Sequence, residues 1–553
     1  MRSKVEHGGL TAQAVAGTHV VLLGWDIEPA LEAGLLGFAI QRTDHTEGET
    51  YWLRGMKTFP DTVPKLAPGG TVSSQDQPFQ TFQWGDYSAK PAHQYTYKLI
   101  AMYGRPGALE RGVSMDMSID TEVEDGARHS VYFNRGAIAS QEYARRFQDK
   151  APDVIGQAAY DWLSRGLLEA ITRFIGKAAD HTFALRVAIY EFQWPAVLDA
   201  LKSATARGVD VKVIFDAIEN AKEDPVAKNE EAINRAGIRN MCVGFTNGKI
   251  MHNKFIVLLK NDVAIEVLTG STNYTENGIF GHLNCAHVVN DRDIADAYLQ
   301  YWSKLSTNPE LAEMRIWDDE ATPAPDVPPP EGTSKVFSPQ KGTGTLKTYA
   351  NIAALAKRAL FMTFAFGMNA DFLPVYKEGG GVLRFALMDK EGAGKGLAAA
   401  KEQIAEIRKV DGAVVAIGQN IATNAFDHWL RERDGLAPGE YVRWVHTKFM
   451  LVDPLSDDPI VITGSANFSD ASVETNHENM LVIRGDKRIA DIYLSEFMRQ
   501  FSSYAFRDAV AASHAEDPEN FERQSLATDN AWIRRYSKAG SAGALRRSYF
   551  AGR

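Results

Sequence analysis

Two stretches of this chain repeat one pattern: IMHNKFIVLLKNDVAIEVLTGSTNYTENGIFGHLNCAHVV and WVHTKFMLVDPLSDDPIVITGSANFSDASVETNHENMLVI. Each opens on His-x-Lys-Phe, at His252/Lys254 and His446/Lys448, and each reaches a Gly-Ser-x-Asn element 18 positions after its His, at Gly270 and Gly464. On a strand, alternation sends the His and the Lys to one face while Asn253 or Thr447 points away. That face offers an imidazole and an ammonium together. The second element adds hydroxyls and amides, Ser271 with Asn273 and Ser465 with Asn467, behind a glycine that permits close backbone approach. If the two copies face each other, this set suits a phosphodiester. One His attacks phosphorus, the other protonates the leaving oxygen, and Lys254, Lys448, Asn273 and Asn467 neutralise the phosphoryl oxygens. No metal and no cofactor is needed for that work. His282, His287 and His477 do not form a convincing metal set.

The apolar runs Phe255–Leu259 and Phe449–Val452 read as buried central strands beneath the motifs. Around them the period alternates between helix and strand. In one half it runs through VYFNRG, a helix near 160–177, ALRVAIYEF, a helix near 196–207 and VDVKVIFDA; in the other, through VFSPQKG, a helix near 346–358, LFMTFAFGM, VLRFALMDK and a helix near 397–409. Met362, Phe364 and Phe366 alternate as core residues. Glu191 and Asp216, at the C-terminal ends of strands, read as helix N-caps or loop carboxylates, with a substrate-side location as the alternative, and Trp194 and Phe192 line an entrance or staple a helix.

These residues resemble the phospholipase D superfamily, whose hallmark is a duplicated His-x-Lys motif followed by an Asp and a Gly-Ser-x-Asn element. The resemblance spans roughly residues 129–508. It implies a covalent phosphohistidine released by water or an alcohol, with His252 assigned as nucleophile and His446 as general acid by analogy. Two departures stand out. Asp453 fills the motif aspartate position in the second copy, whereas Leu259 occupies it in the first, and both copies carry four extra residues before Gly-Ser, read as a longer hairpin turn. Fourteen positions after each motif glycine lie Asn284 and Glu478. Glu478 is the candidate orienter of a catalytic His, and Asp453 a conjectural partner for the other.

The expected fold is multidomain, an N-terminal all-β sandwich followed by two tandem α/β domains packed as a pseudo-dimer. Strands from about 18 to 125, with a Trp-containing strand and a Tyr-rich one (Tyr95, Tyr97), resemble a fibronectin type III or immunoglobulin-like unit over 1–128. The phospholipase D-like domains are placed at 129–317 and 336–508. Between them 318–335, DDEATPAPDVPPPEGTSK, reads as a proline-rich linker. The last segment, 509–553, reads as a basic tail in which Arg534, Arg535, Lys538, Arg546, Arg547 and Arg553 lack acidic neighbours in sequence. It is expected to be solvated, or else to contact anionic phosphate surfaces.

A chain of 553 residues with 45% hydrophobic and 24% charged residues can bury several cores, and a net charge of -10 argues against a surface that coats nucleic acid. Cys242 and Cys285 make no disulfide framework and read as core residues. No apolar run is long enough to span a bilayer, and no signal-like segment opens the sequence, so a cytoplasmic location is the default expectation. The leading expectation is a phospholipase D-type enzyme cleaving phospholipid headgroups, with transphosphatidylation and peripheral membrane contact, although no membrane-docking amphipathic helix stands out. A nuclease acting on DNA or RNA is the alternative, supported by the basic tail. A catalytically silent binding or adaptor protein is the alternative of another class.

Overall fold

The computed structural model describes residues 1–63, 70–136, 140–148, 150–219, 225–392, 396–418, 445–516 and 525–553. Its N-terminal strands are β1 (Arg2–His7), β2 (Leu10–Ala16), β3 (Val21–Ile27), β4 (Gly37–Asp44), β5 (Glu49–Trp52), β6 (Arg54–Gly55), β7 (Val72–Ser73), β8 (Gln83–Asp86), β9 (Gln94–Arg105) and β10 (Ala108–Asp120). They form two antiparallel sheets, ordered β1-β2-β3-β8 and β10-β9-β4-β5, beside the short pair β6-β7. Trp25, Phe38, Phe82, Tyr95 and Tyr97 fill one core between the two larger sheets. The hairpin β1-β2 lies ahead of the first strand expected from the sequence. Its turn, Gly8-Gly9, takes positive φ at both residues, as a two-residue hairpin requires.

The rest of the chain holds β11 (His129–Phe133), β12 (Phe183–Ile189), β13 (Asp210–Asp216), β14 (Cys242–Phe245), β15 (Lys254–Lys260), β16 (Val263–Gly270) and β17 (Cys285–Val289) in one sheet. A second sheet holds β18 (Gly332–Ser338), β19 (Ala359–Phe364), β20 (Leu383–Met388), β21 (Ala413–Ile417), β22 (Phe449–Val452), β23 (Ile460–Gly464) and β24 (Glu478–Arg484). Their orders are β11-β17-β16-β15-β12-β13-β14 and β18-β24-β23-β22-β19-β20-β21, the same topology shifted by seven strands. The internal repeat is therefore one of connectivity as well as motif. In each sheet the strand after the His-x-Lys motif runs antiparallel to a strand that is parallel to its other neighbour, so each motif lies beside the C-terminal ends of two parallel strands. Open α/β sheets bind ligands at that edge.

Two helices bind the halves together. The helix Lys487–Glu516 buries Ile489, Tyr493, Phe497, Phe501 and Tyr504, a stripe at i, i+4 and i+3 spacing, with Ile492, Leu494 and Met498 widening it. Tyr493 packs on Phe133 of the first sheet and Phe449 of the second, and Phe497 on Phe361, Phe385 and Phe449. At about 1.5–3 kcal/mol for each fully buried large apolar side chain, this stripe is a major term in holding the halves together. On the other side, Tyr301 of the helix Arg292–Leu305 stacks on Phe337 of the second sheet with ring centroids 4.2 Å apart.

Three sequence expectations change here. The segment 318–335 is not all linker: the helix Leu311–Ala321 runs through Asp318, since the prolines begin only at Pro323, and β18 has begun by Gly332. The 508 boundary falls inside the helix that continues to Glu516. The described part of the basic tail is anchored on the N-terminal unit, although Arg534, Arg535 and Lys538 remain exposed. Trp532 and Ile533 enter the N-terminal core, and Phe550 packs against Gly24, where a Cβ would lie 2.2 Å from its carbonyl oxygen. Arg547 pairs with Asp26 at 2.5 Å and Glu32 at 2.8 Å, Arg553 pairs with Asp26, and Arg546 is bonded to Gln83 at 2.9 Å. The acidic partners of Arg547 and Arg553 come from the opposite end of the chain.

Candidate active site

The His-x-Lys motifs sit at the mouths of their strands rather than within them. β15 begins at Lys254, and β22 begins one residue after Lys448. Both lysines are buried, Lys254 only 1% exposed, and each ammonium donates to the carbonyl of its own motif His, Lys254 at 2.6 Å. Asp216, at the end of β13, accepts the N–H of Met251 at 2.7 Å. Asp389, just past the end of β20, accepts that of Val445 at 2.9 Å. Each aspartate thus fixes the residue immediately before a motif His. Sequence reasoning took a substrate-side place for Asp216 from its strand end as the alternative and favoured an N-cap or loop carboxylate.

The halves meet at the histidines. Leu283 forms a parallel bridge with Val445, and Ile250 another with Asn476, so each motif is stitched to the opposite half. The two imidazole centroids are 6.3 Å apart. His252 Nδ1 lies 2.8 Å from Glu478 Oε2, and His446 Nδ1 lies 2.8 Å from Asn284 Oδ1. Each His is therefore oriented by a residue of the other half. Fixing both Nδ1 atoms leaves both Nε2 atoms for a substrate. Asp453, conjectured as the second partner, is not there. It lies at the far end of β22, where its carboxylate accepts the N–H groups of Lys357, Arg358 and Ala359, each at 2.8 Å.

That placement also explains Leu259. In the first copy the strand continues through Leu259 to Lys260 and turns tightly at Asn261-Asp262, both with positive φ. Leu259 is simply core. In the second copy β22 stops at Val452, and Asp453 (φ 46) opens a loop to Ile460. The longer turn expected in both copies exists only in the second; the first spends its extra residues on longer strands.

Asn273 and Asn467 are both buried, each with its Oδ1 lacking a hydrogen-bond partner, and Asn273 Nδ2 donates to Glu191. Glu191, two residues beyond β12, is thus part of the site's surroundings, which sequence reasoning had discounted. The serines face inward instead. Ser271 donates to Asn284 Oδ1 at 2.9 Å and accepts from Cys285 N, and Ser465 is bonded to the backbone of Asn479. They hold the framework rather than offer hydroxyls to a phosphate. The motif glycines are crowded: a Cβ on Gly270 would lie 2.3 Å from Cys285 O, and one on Gly464 2.2 Å from Asn479 O.

Burial pushes His252 down to about 4, with Glu478 opposing and Lys254 and Lys448 assisting. Burial likewise pushes Lys254 down to about 7, against the pull of Glu478, Glu191 and Asp216. His446 is held well below the usual imidazole range by burial first, then by Lys448, His282, Lys254 and His252. The site is polarised. Glu478, Glu191 and Asp216 act on Lys254, whereas Lys448, His282, Lys254 and His252 act on His446. Of the other histidines, His282 lies 6.0 Å from the His446 ring, His287 is bonded to His129, and His477 packs on Phe245, three separate places.

Residues 171–306 and 411–501 match the family model described as cardiolipin synthase, PLD-like domain. The match to this phospholipase D-like domain model thus falls in both halves. A protein named Phospholipase D from Rickettsia bellii (strain RML369-C) is 34% identical over 136 residues, 24% of this chain and 61% of that protein. This chain thus spans about three fifths of that relative's length. Among solved structures, Nuc from Salmonella typhimurium, a phospholipase D family member, is 26% identical over 25% of this chain and 86% of its own, with a TM-score of 0.22. Phosphatidylserine synthase from Haemophilus influenzae Rd KW20 is 12% identical over 61% and 85%, with a TM-score of 0.40. Among the described residues no helix is long and apolar enough to cross a membrane.

Proposed function

We propose that this chain is a phospholipase D-type phosphodiesterase that hydrolyses phospholipid headgroup diesters, or transfers them to an alcohol, through a phosphohistidine. The observation that carries the reading is the pair of cross-half contacts, Glu478 on His252 and Asn284 on His446. His252 Nε2 attacks phosphorus, the N–P bond forming as the P–O bond to the leaving alcohol breaks. His446 gives the leaving oxygen its proton. Water or an acceptor alcohol then returns a proton to His446 as it attacks the phosphohistidine. The anionic Glu478 stabilises the cationic, phosphorylated imidazole, which the neutral Asn284 cannot do. The cations around His446 favour proton release, and a bound phosphodiester's charge raises that imidazole's proton affinity until the leaving oxygen takes the proton. Lys254, Lys448, Asn273 and Asn467 serve the non-bridging oxygens.

The domains supporting this chemistry are the two repeated halves, and we read the N-terminal unit as a fibronectin type III-like sandwich, its β10-β9-β4-β5 order matching a G-F-C-C′ sheet. Lipid is favoured over nucleic acid because Arg547 and Arg553 of the basic tail, the best support for a nuclease, are tied to Asp26 and Glu32. The test is a parallel assay with EDTA of phosphatidylcholine vesicles and single- and double-stranded DNA, using wild type, His252→Ala and His446→Ala. Loss of lipid cleavage in both variants, with phosphate trapped on His252, is expected. Full activity in either variant, or cleavage of DNA alone, overturns the reading.

A further inference from the structure

Just past the end of β11 one arginine is left without a carboxylate. Phe133 faces Cys285 and Phe337 faces Asn479, each partner one residue after an orienter of a motif His, so Arg135, two residues beyond Phe133, corresponds to Pro339 in the second half. Arg135 is therefore no part of the repeated motif. Arg165 Nε donates to Phe133 O at 2.9 Å, and Arg499 donates to Asn134 O at 2.8 Å and to Arg135 O at 3.3 Å. Those two guanidinium groups share Glu496, at 2.7 and 2.8 Å. Arg146 shares Glu142 with Arg145. Among the described residues Arg135 has no such partner. One of its N–H groups donates to Trp162 O at 2.6 Å, and its guanidinium lies 4.7 Å from the centroid of the Trp162 ring, on which Arg146 also sits at 5.6 Å.

Arg135, Arg146, Arg165 and Arg499 thus meet with only Glu142 and Glu496 to neutralise them, an excess of at least two positive charges. Burial pushes Arg135 down to about 9, with Arg165, Arg499 and Arg146 assisting and Glu496 opposing. A guanidinium keeps its proton in a protein, so an anion, rather than proton loss, relieves such surroundings. Arg135 is half-buried, and with one N–H group held by Trp162 O it keeps further donors of its fork for a ligand. We propose that Arg135 and Arg146, mounted on Trp162, bind a terminal phosphate group at a site that shares no residue with the histidine centre. A phosphomonoester dianion matches the excess charge, which the single charge of a diester does not, and guanidinium forks take phosphate oxygens in pairs. Asn134, next to Arg135, donates to the carbonyls of Ile279 and His282 and accepts the N–H of Asn284, so the site borders the segment that orients His446. It does not depend on which diester the histidines cleave.

The test reads the two arginines directly. The full chain is treated with phenylglyoxal, which modifies accessible guanidinium groups, and modification of Arg135 and Arg146 is followed by peptide mass spectrometry as inorganic phosphate is added at constant ionic strength. Saturable protection of both is expected, with far less from dimethyl phosphate, a diester, and none from chloride, while the exposed Arg534 and Arg535 react at an unchanged rate. In Arg146→Gln, a change at a side chain 51% exposed, the phosphate concentration that half-protects Arg135 is expected to rise. The expected rise is about fivefold or more. Two further arms separate the sources of the phosphate: glycerol 3-phosphate in solution, and phosphatidate in neutral detergent micelles against the same micelles alone. Protection by phosphatidate at the lower concentration assigns the site to a lipid headgroup, and equal or weaker protection assigns it to a soluble phosphomonoester. Absence of protection overturns the site. So does equal protection by chloride or dimethyl phosphate, which would reduce the cluster to general screening, and so does a half-protecting concentration unchanged in Arg146→Gln.

Discussion

Glu478 and Asn284 occupy equivalent positions but differ by one charge, and on the proposed mechanism that charge divides the labour of the two imidazoles. Replacing Glu478 by Gln keeps the size and a carbonyl acceptor for His252 Nδ1–H while removing the anion. We expect kcat to fall by about 10–100-fold, with KM much less affected, as steady-state kinetics on the preferred substrate will show. The pH dependence of kcat/KM follows from the same environment. On the proposed roles the free enzyme must hold His252 neutral, His446 protonated and Lys254 charged; with His446 held well below the usual imidazole range, the profile is expected to rise through about 4 and to fall before Lys254 loses its proton near 7. A profile flat between pH 5 and 9 would remove both His446 and Lys254 from the chemistry. Both histidines, both lysines and both asparagines were legible in the sequence, because the same residues recur at the same spacing. Glu191 was read only as the less favoured substrate-side alternative, since its bond to Asn273 depends on two chain segments 82 residues apart meeting at a strand end.

At the scale of the element, the two hairpins show how a shared motif can have different turns beneath it. Asp453 ties the turn of the second hairpin to the start of β19 by accepting three backbone N–H groups, work that a continuing strand makes unnecessary at Leu259. Asp453→Ala is therefore expected to cost about 1–3 kcal/mol of stability, measured by denaturant unfolding, while activity per folded molecule is retained. Gly464→Ala should differ. Its new Cβ meets Asn479 O and forces apart β23 and β24 next to Glu478. A loss of about 1–3 kcal/mol is expected together with loss of activity. The sequence pattern located the strands and the duplication, since buried central strands read as apolar runs. It could not place the turns, because hairpin closure is decided by φ at Asn261, Asp262 and Asp453, and asparagine and aspartate at such positions are read equally well as loop or turn.

Across the whole molecule, the ends of the chain converge: the C-terminal helix Ala542–Phe550 packs on β3, and Arg2 of β1 pairs with Asp491 of the long helix at 2.8 Å. Such closure was invisible in a tail whose arginines have no nearby acids in sequence. Removing Asp26, which is 10% exposed in its side chain and receives Arg547 and Arg553, should cost about 3 kcal/mol as Asp26→Ala, seen as a lower thermal midpoint. Acid should also act globally. Burial holds His129, His252 and His477 near 4, so unfolding takes up protons below 6.5, and their contribution, complete above 6.5, is lost as pH falls toward 4. Calorimetry over that range should show a falling midpoint, lessened in His477→Leu, which removes a buried imidazole whose charging opposes the fold. The exchanged orienters carry a final consequence. Two identical subunits related by a twofold axis would hold both histidines with the same residue, glutamate or asparagine in each, and the two imidazoles would be interchangeable. Joining the copies in a single polypeptide releases that constraint: mutation can alter one orienter without its twin, and an ancestral equivalence of the histidines can become a fixed direction for the reaction.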